Sequence, residues 1–590
     1  MGVGFRPFRF TKIRKWPRGA ARHHKDPLVA AMSDLDCDVV IVGTGPGGST
    51  FADVATAAGR SVVLLEKGRN HLVELEPPFA PKGDFSNDEL KFVHRHFLGP
   101  DPITEPRSFR RDERDGERIF VGDVNNIPST VGGGGHHADG KLPRLQEADF
   151  RVLSEYGPVD GATVADWPVQ YDELEPHYAE VERLIGVAGE AGANPFAAWR
   201  SGPYPMPPGP DMFGALLTSA AAERRGLHPY RAPTGVNSVP YDDRPACNDC
   251  GFCAHLSCPI HAKGDPISSL RRALRTGRCE IRAEAYVDTI TLDGTGRKAS
   301  GVGYLDVATG ERREVRAAHV VLAAGAFETP RLLLRTGLAN SSGLVGRNLM
   351  FHFQTLTVGI FPFSLHGDRG RCVTHLHDDF IVPGPAEIAA ARAAELPWIR
   401  GGTTEHGGSG HPIAEALNYP AGPLHTLAMA DSATRERLWA FTMQAEDLAQ
   451  PTNRIDLDPT VKDWTGAPAG RVTYRPHRHE VVTSAHFAPV LEDLMTDAGA
   501  DFAFTVTSPP LGDEATGMGI APASRHVMGT CRMGDDPTTS VVDGHGRFHD
   551  IDNMLCADSS VFTTSAGYNP TLTLCALAHR AASLLVGTTP

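Results

Sequence analysis

The sequence predicts an α/β fold: a Rossmann-type dinucleotide-binding domain interrupted by a second, inserted domain. Three observations carry that reading. Val39-Val40-Ile41-Val42 runs straight into Gly43-Thr44-Gly45-Pro46-Gly47-Gly48, an apolar strand opening onto a glycine turn. A small-residue stretch of helical length, residues 48–59, then leads to a second apolar run at residues 61–65, completing a βαβ unit. Finally, 590 residues with 41% apolar content exceed what one core usually supports, so two domains are expected.

In chain order, the first 31 residues carry Arg6, Arg9, Lys12, Arg14, Lys15, Arg18, Arg22 and Lys25 against Asp26 alone. They lack the apolar core of a signal peptide, so a disordered extension over residues 1–32 is expected. A start at Met32 and a basic membrane-surface or targeting arm are the alternatives. Residues 166–186 place apolar side chains at helical spacing, with Asp172 as cap and Gly186 as stop. Residues 195–245 are Pro-rich and read as irregular. A third parallel-type strand falls at His319-Val-Val-Leu-Ala-Ala-Gly325. Residues 351–515 mix strand-like runs such as Arg471-Val-Thr-Tyr with helical ones such as Leu491-Glu-Asp-Leu-Met-Thr-Asp. The division that follows assigns 33–165, 240–350 and 516–590 to a discontinuous cofactor domain, and 166–239 and 351–515 to a substrate-binding domain.

Gly43, Gly45 and Gly48 fit G-x-G-x-x-G, which gives a tight turn, a close backbone approach to a pyrophosphate and tight packing of helix on strand. Glu66, ending the second strand, is placed to accept from a ribose hydroxyl. The turn alone does not choose between nicotinamide and flavin. Near the other end, His526-Val-Met-Gly529-Thr530 and, further on, Asn569-Pro570-Thr set a proton acceptor and an amide in glycine-punctuated segments. A net charge of -14, with no basic stripe interleaved with aromatics, argues against a nucleic-acid partner. No apolar run approaches the roughly 18 residues that span a bilayer, so a soluble, cytoplasmic chain is expected.

Together these segments resemble the glucose-methanol-choline (GMC) family of flavin-dependent oxidoreductases over nearly the whole chain from residue 36. Besides the N-terminal fingerprint, Gly325-Ala326-Phe-Glu-Thr329-Pro330-Arg-Leu-Leu-Leu-Arg-Thr336-Gly337-Leu338-Ala339 is similar to a signature segment of that family, with Thr336 and Ala339 where Ser and Gly are usual. The most specific match lies in His526-Val-Met-Gly-Thr-Cys-Arg-Met-Gly, Val541-Val-Asp, Asp552-Asn-Met-Leu-Cys-Ala-Asp558-Ser-Ser-Val-Phe and Asn569-Pro570-Thr, which look like a bacterial GMC C-terminus. The resemblance implies FAD as cofactor, and an FAD-binding domain with an α+β substrate domain, built on an antiparallel sheet, lying over the flavin. It implies oxidation of an alcohol substrate, with oxygen or another acceptor taking the electrons. It also brings Gly133 and His137, in Thr130-Val-Gly-Gly-Gly-Gly-His-His-Ala-Asp-Gly140, to the flavin, together with Val287, Asp558 and Pro570. Related bacterial members often carry His-Trp where this chain has His137-Ala138, and in some sugar oxidases the matching histidine is bonded to the flavin. Packing of His137 over the flavin ring is the expectation here.

Hydride leaves an alcohol carbon more readily as the hydroxyl proton departs, so a base is needed. Histidine's ordinary pKa lets it take that proton near neutrality, and general-base catalysis contributes about 10²- to 10⁴-fold. His526 is assigned this role, the alternative being a hydrogen-bonded core histidine. Asn569 matches the family's second position, where some members carry another histidine, and its amide is expected to hold the substrate oxygen and stabilise the alkoxide. The Cys-rich loop ending in Ala262-Lys263 and the Asn-Pro-Thr-Leu-Thr segment favour sugars, aminosugars or glycosides as substrates.

Four of the ten cysteines fall in Cys247-Asn-Asp-Cys250-Gly-Phe-Cys253-Ala-His255-Leu-Ser-Cys258-Pro259. The last gap is one residue longer than in the bacterial ferredoxin run, which leaves an iron–sulfur cluster as one reading and a zinc site with His255 as another. A structural loop of thiols is the favoured third. Without an export signal, stable disulfides are not expected. Three rival functions stand beside alcohol oxidation: a lyase of the same family, an iron–sulfur dehydrogenase serving a membrane partner, and a non-enzymatic FAD-binding protein.

Overall fold

The computed structural model describes residues 35–70, 101–122, 124–125, 127–253, 258–408, 436–508 and 524–588. The basic extension and His255 lie outside them. Strands are numbered in chain order.

A seven-stranded sheet holds the cofactor end. β1 (Cys37–Val42) pairs in parallel with β2 (Val62–Leu65) on one side and with β9 (Arg312–Leu322) on the other, so Val39 faces both Val62 and His319. β6 (Cys279–Arg282) continues the parallel set beyond β2, and β17 (Met554–Cys556) beyond β9. Being covered on both faces, β1 is almost continuously apolar. Val39 and Ile41 enter one core with Phe51, Leu270 and Ala578, while Val40 and Val42 enter the other with Val320 and Leu322. The helices Pro46–Ala57, Pro266–Arg275 and Thr571–Val586 supply the first of these layers. The predicted third strand is present but extended: the first half of β9 pairs antiparallel with β8 (Ala299–Asp306), which pairs with β7 (Ala285–Leu292).

A six-stranded antiparallel sheet runs β16 (Phe502–Ser508), β10 (Phe353–Ile360), β13 (Leu438–Ala445), β12 (Thr404–Gly408), β11 (Val373–His377), β5 (Tyr230–Arg231). The helices Phe213–Arg224 and Arg478–Asp497 bury one face through Ala215, Phe441, Met443, Phe487 and Leu491. Side chains alternate across a strand, so in β10 Phe353 and Thr355 are buried on one side while Gln354 turns to the other. A smaller sheet joins β14 (Arg454–Lys462), β15 (Pro468–Thr473), β3 (Arg107–Arg110) and β4 (Phe120–Gly122).

Two local expectations are corrected. The helix read at residues 166–186 is Tyr171–Ile185, stopped as expected at left-handed Gly186, but its cap is Gln170. Glu173 accepts from the Gln170 N–H at 2.9 Å, whereas the Asp172 carboxylate accepts from the Trp199 indole at 2.7 Å. Residues 195–245 are not wholly irregular, since they contain Phe213–Arg224. That helix packs so closely that a Cβ on Gly214 would lie 2.3 Å from the Trp439 ring, and its small residues hid the apolar periodicity. No helix among the described residues is long and apolar enough to cross a membrane.

Candidate active site

The turn after β1 is closed by backbone. Gly43 has φ +104°, and a Cβ there would sit 2.3 Å from the Ala323 carbonyl oxygen. A Cβ on Gly48 would lie 2.2 Å from the Gly43 carbonyl, and one on Gly47 would lie 1.7 Å from that of Ala557. Among the described residues nothing stands within 4 Å of a Cβ placed at Gly45, so its bare Cα leaves room on the side of a cavity of about 630 Å³. No side chain caps the following helix and no acid sits in its first turn, so its positive end is available to an anionic group. This is the cradle a pyrophosphate requires.

Glu66 ties the turn together. Its carboxylate accepts from the Thr44 amide at 3.1 Å, the Thr44 hydroxyl at 2.7 Å and the Gly68 amide at 2.9 Å. Burial pushes its pKa above the usual carboxylate value, against those hydrogen bonds. Gly43, Gly45, Glu66, Gly133, His137, Val287, Asp558 and Pro570 all line the one cavity. Gly48 stands behind it, packed against the Gly43 carbonyl, in the helix-packing position expected of a third glycine. Asp558 accepts from the Gly325 amide at 2.9 Å and the Thr329 hydroxyl at 2.6 Å, which ties the C-terminal segment to the end of β9.

His526 and Asn569 line the far part of the same cavity, so the fold brings together residues from opposite ends of the chain. His526 Nδ1 is 2.7 Å from Nδ1 of His352, with the rings perpendicular. Burial, then His352 and Lys141, hold the His526 pKa well below its ordinary value, with Asp139 acting the other way. Its resting form is therefore the neutral imidazole.

Asn569 is less free than the sequence suggested, because its Nδ2 donates to Glu405 Oε1 at 3.0 Å. Its Oδ1 is buried with no hydrogen-bond partner among the described residues. Glu405 also accepts from Gln444 at 3.2 Å and pairs with Lys141 at 2.5 Å, and Lys141 pairs with Asp139 at 3.0 Å. Gln354 donates to Gln444 at 3.1 Å, extending the polar wall. Burial opposes the Lys141 ammonium, but the two carboxylates outweigh it and raise its pKa.

His352, Glu405, Gln444, Gln354, Lys141 and Asp139 were not identified from sequence. Asp139 and Lys141 directly follow the glycine-rich run, which was a usable signal. His352 stands in Met350-Phe-His-Phe-Gln354, where a histidine among apolar residues leading into a strand was a weaker one. Nothing local marks Glu405 or Gln444.

None of the ten cysteines is joined in a disulfide. Cys258 accepts from the Ala262 amide at 3.2 Å and Cys247 from the Asp249 amide at 3.3 Å, and burial pushes the Cys247 pKa up to about 11. Among the described residues no group of three or more His, Cys, Asp or Glu side chains is arranged to hold a metal. The iron–sulfur and zinc readings therefore find no ligand set there.

The glycine turn, with its uncapped helix N-terminus, and the His526 ring thus open on one cavity. Residues 224–354 and 449–578 each match a family model described as GMC oxidoreductase, and over both segments the chain is similar to that family. It is 29% identical to 2-methyl-1,2-propanediol dehydrogenase of Mycolicibacterium austroafricanum, over 92% of this chain and 94% of the relative. It is 28% identical to the gluconate 2-dehydrogenase flavoprotein of Pantoea cypripedii, over 93% of both, and 28% identical to paromamine 6'-oxidase of Streptomyces fradiae, over 97% and 95%. The fold is shared with pyridoxine 4-oxidase from Mesorbium loti, with a TM-score of 0.57 at 18% identity over 94% of this chain and 100% of that one. It is also shared with a formate oxidase, with a TM-score of 0.63 at 16% identity over 93% and 98%.

Proposed function

We propose that this chain oxidises an alcohol carbon of a sugar, aminosugar or other polyol, with His526 as the general base. The observation that carries the reading is that the His526 ring opens on the same cavity as the bare Cα of Gly45. When bound, FAD supplies the hydride acceptor, and oxygen or another acceptor takes the electrons onward. Gly43, Gly45 and the helix N-terminus would hold its pyrophosphate, Glu66 its ribose, and Gly133, His137, Val287, Asp558 and Pro570 the rest of it. His526 takes the hydroxyl proton. The second Nδ2 hydrogen of Asn569 steadies the substrate oxygen, its first being held by Glu405.

The wall beyond supports a hydroxyl-bearing substrate. Lys141 and the Gln354 and Gln444 amides donate, Asp139 accepts, and that alternation matches neighbouring hydroxyl or amino groups better than an alkyl chain. Relatives named for a propanediol, gluconate and paromamine point the same way. We take the six-stranded sheet as the substrate half and the seven-stranded sheet as the cofactor half, with the division at residues 166–239 and 351–515.

The test is a panel of alcohols, polyols and aminosugars mixed anaerobically with the holoenzyme. Bleaching of the flavin by polyols is expected. A flavin that stays yellow across the panel would contradict alcohol oxidation and favour a lyase.

A further inference from the structure

We infer that His352 is a positioning residue that fixes His526 as the Nδ1–H tautomer and keeps its Nε2 lone pair available to the substrate hydroxyl. The inference deepens the assignment of His526 as the base, and rests on it. The argument begins at the buried end of the chain of contacts. His352 Nε2 lies 3.1 Å from the carbonyl oxygens of both Ser565 and Ala566. A carbonyl only accepts, so Nε2 of His352 carries a hydrogen. The ring is completely buried, and burial pushes its pKa down to about 4 despite those two carbonyls, so it is neutral at pH 7.

A neutral imidazole has one N–H, which leaves Nδ1 of His352 with a lone pair. At 2.7 Å from His526 Nδ1 it must accept, so the His526 proton sits on Nδ1 and its Nε2 is bare. No protein hydrogen bond among the described residues takes that Nε2, and His526 lines the cavity. When the substrate O–H bond breaks, its proton forms the new Nε2–H bond. The imidazolium then keeps donating from Nδ1 to His352, a neutral counterpart of the orienting carboxylate in hydrolytic triads.

The carbonyls are themselves held in place. Ser565 Oγ donates to the Asp447 carbonyl at 3.0 Å and accepts from the Asp447 amide at 2.8 Å. The Asp447 carboxylate takes the Phe351 amide at 2.6 Å, next to His352. One residue thus anchors both the acceptors and the segment carrying the ring. The charged groups acting on His526 are Lys141 and Asp139, which pair with each other and leave the tautomer to His352.

The test uses the full-length holoenzyme, selectively labelled with ¹⁵N-histidine, with the His526 signals assigned by their loss in His526→Ala. Ring shifts showing Nδ1–H and a bare Nε2 are expected, and the opposite tautomer would overturn the inference. Two variants separate orientation from filling. His352→Gln offers an amide oxygen to His526 and an NH₂ to the carbonyls, and should retain most of the flavin-reduction rate. His352→Leu should slow reduction on the order of a hundredfold, within the range of a general base, with KM little changed. Equal slowing in both variants, or none in His352→Leu, would overturn it. Should His352→Leu fail to fold, the ring shifts and the Gln variant still decide. Normal reduction in His526→Ala would remove the base assignment while leaving the tautomer measurement intact.

Discussion

The glycine turn at residues 43–48 and the wall around His526 line one cavity, but backbone builds the first and side chains build the second. At the turn, adding a single carbon at Gly43 or Gly47 drives it into a carbonyl oxygen. At the wall, His526, His352, Glu405, Lys141 and Asn569 come from widely separated stretches and are joined by hydrogen bonds and ion pairs. The difference teaches where each end is fragile. The turn is sensitive to volume, and the wall to charge and proton placement.

Glycine substitutions should break that contrast most severely if it is wrong. Gly43→Ala and Gly47→Ala should yield little folded, flavin-containing protein, because the added Cβ meets backbone and Gly43 sits at φ +104°. Gly45→Ala should, as apoprotein, melt at the temperature of the wild-type apoprotein yet hold much less FAD, since its Cβ meets only the cavity. Flavin absorbance per mole and a thermal melt read both outcomes. Full flavin content in Gly43→Ala would dissolve the contrast.

At the wall, Glu405→Gln keeps the shape but removes the charge facing Lys141. Charge-assisted hydrogen bonds are worth about 1.5–3 kcal/mol, so kcat/KM should fall roughly tenfold to a hundredfold while flavin content stays normal. Loss of flavin in this variant would mean the two ends are not separable.

A buried imidazole away from the cavity tests whether burial alone keeps histidines neutral. His177 Nδ1 lies 2.9 Å from His579 Nδ1, and burial, then His579 and Arg580, push the His177 pKa down to about 3. The unfolded chain protonates this ring near pH 6.5, as free histidine does, so between that pH and about 3 the unfolded state binds more protons and stability is lost as pH falls. His177→Gln should therefore lose less melting temperature than wild type between pH 7 and 4.5. Parallel losses in the two proteins would contradict this.

The smallest effect is expected at Ala339, which occupies the left-handed region at φ +55°, where glycine is the unstrained residue. Ala339→Gly should stabilise the fold by about 1 kcal/mol, measured by denaturant unfolding, and leave flavin reduction unchanged.

The same contrast explains what was legible in the sequence. Gly43, Gly45 and Gly48 were readable because a backbone cradle needs local spacing, and that spacing lies within six residues. The C-terminal segment was readable by resemblance, which carried His526, Asp558 and Asn569 to the cavity they share. Glu405 and Gln444 were not, because their role exists only once the six-stranded sheet brings them beside Asn569 and Lys141. His352 escaped for the same reason: its meaning depends on two carbonyls more than two hundred residues away. The cap of the helix Tyr171–Ile185 was misplaced because Trp199, distant in sequence, claims Asp172 and leaves capping to Gln170.

The central claim is that His526 removes the hydroxyl proton on a flavin-binding frame built elsewhere. The direct measurement is anaerobic flavin reduction by a polyol substrate in His526→Ala. The account predicts wild-type FAD content with reduction slowed about 10²- to 10⁴-fold. Reduction at close to the wild-type rate, with FAD bound, would contradict it.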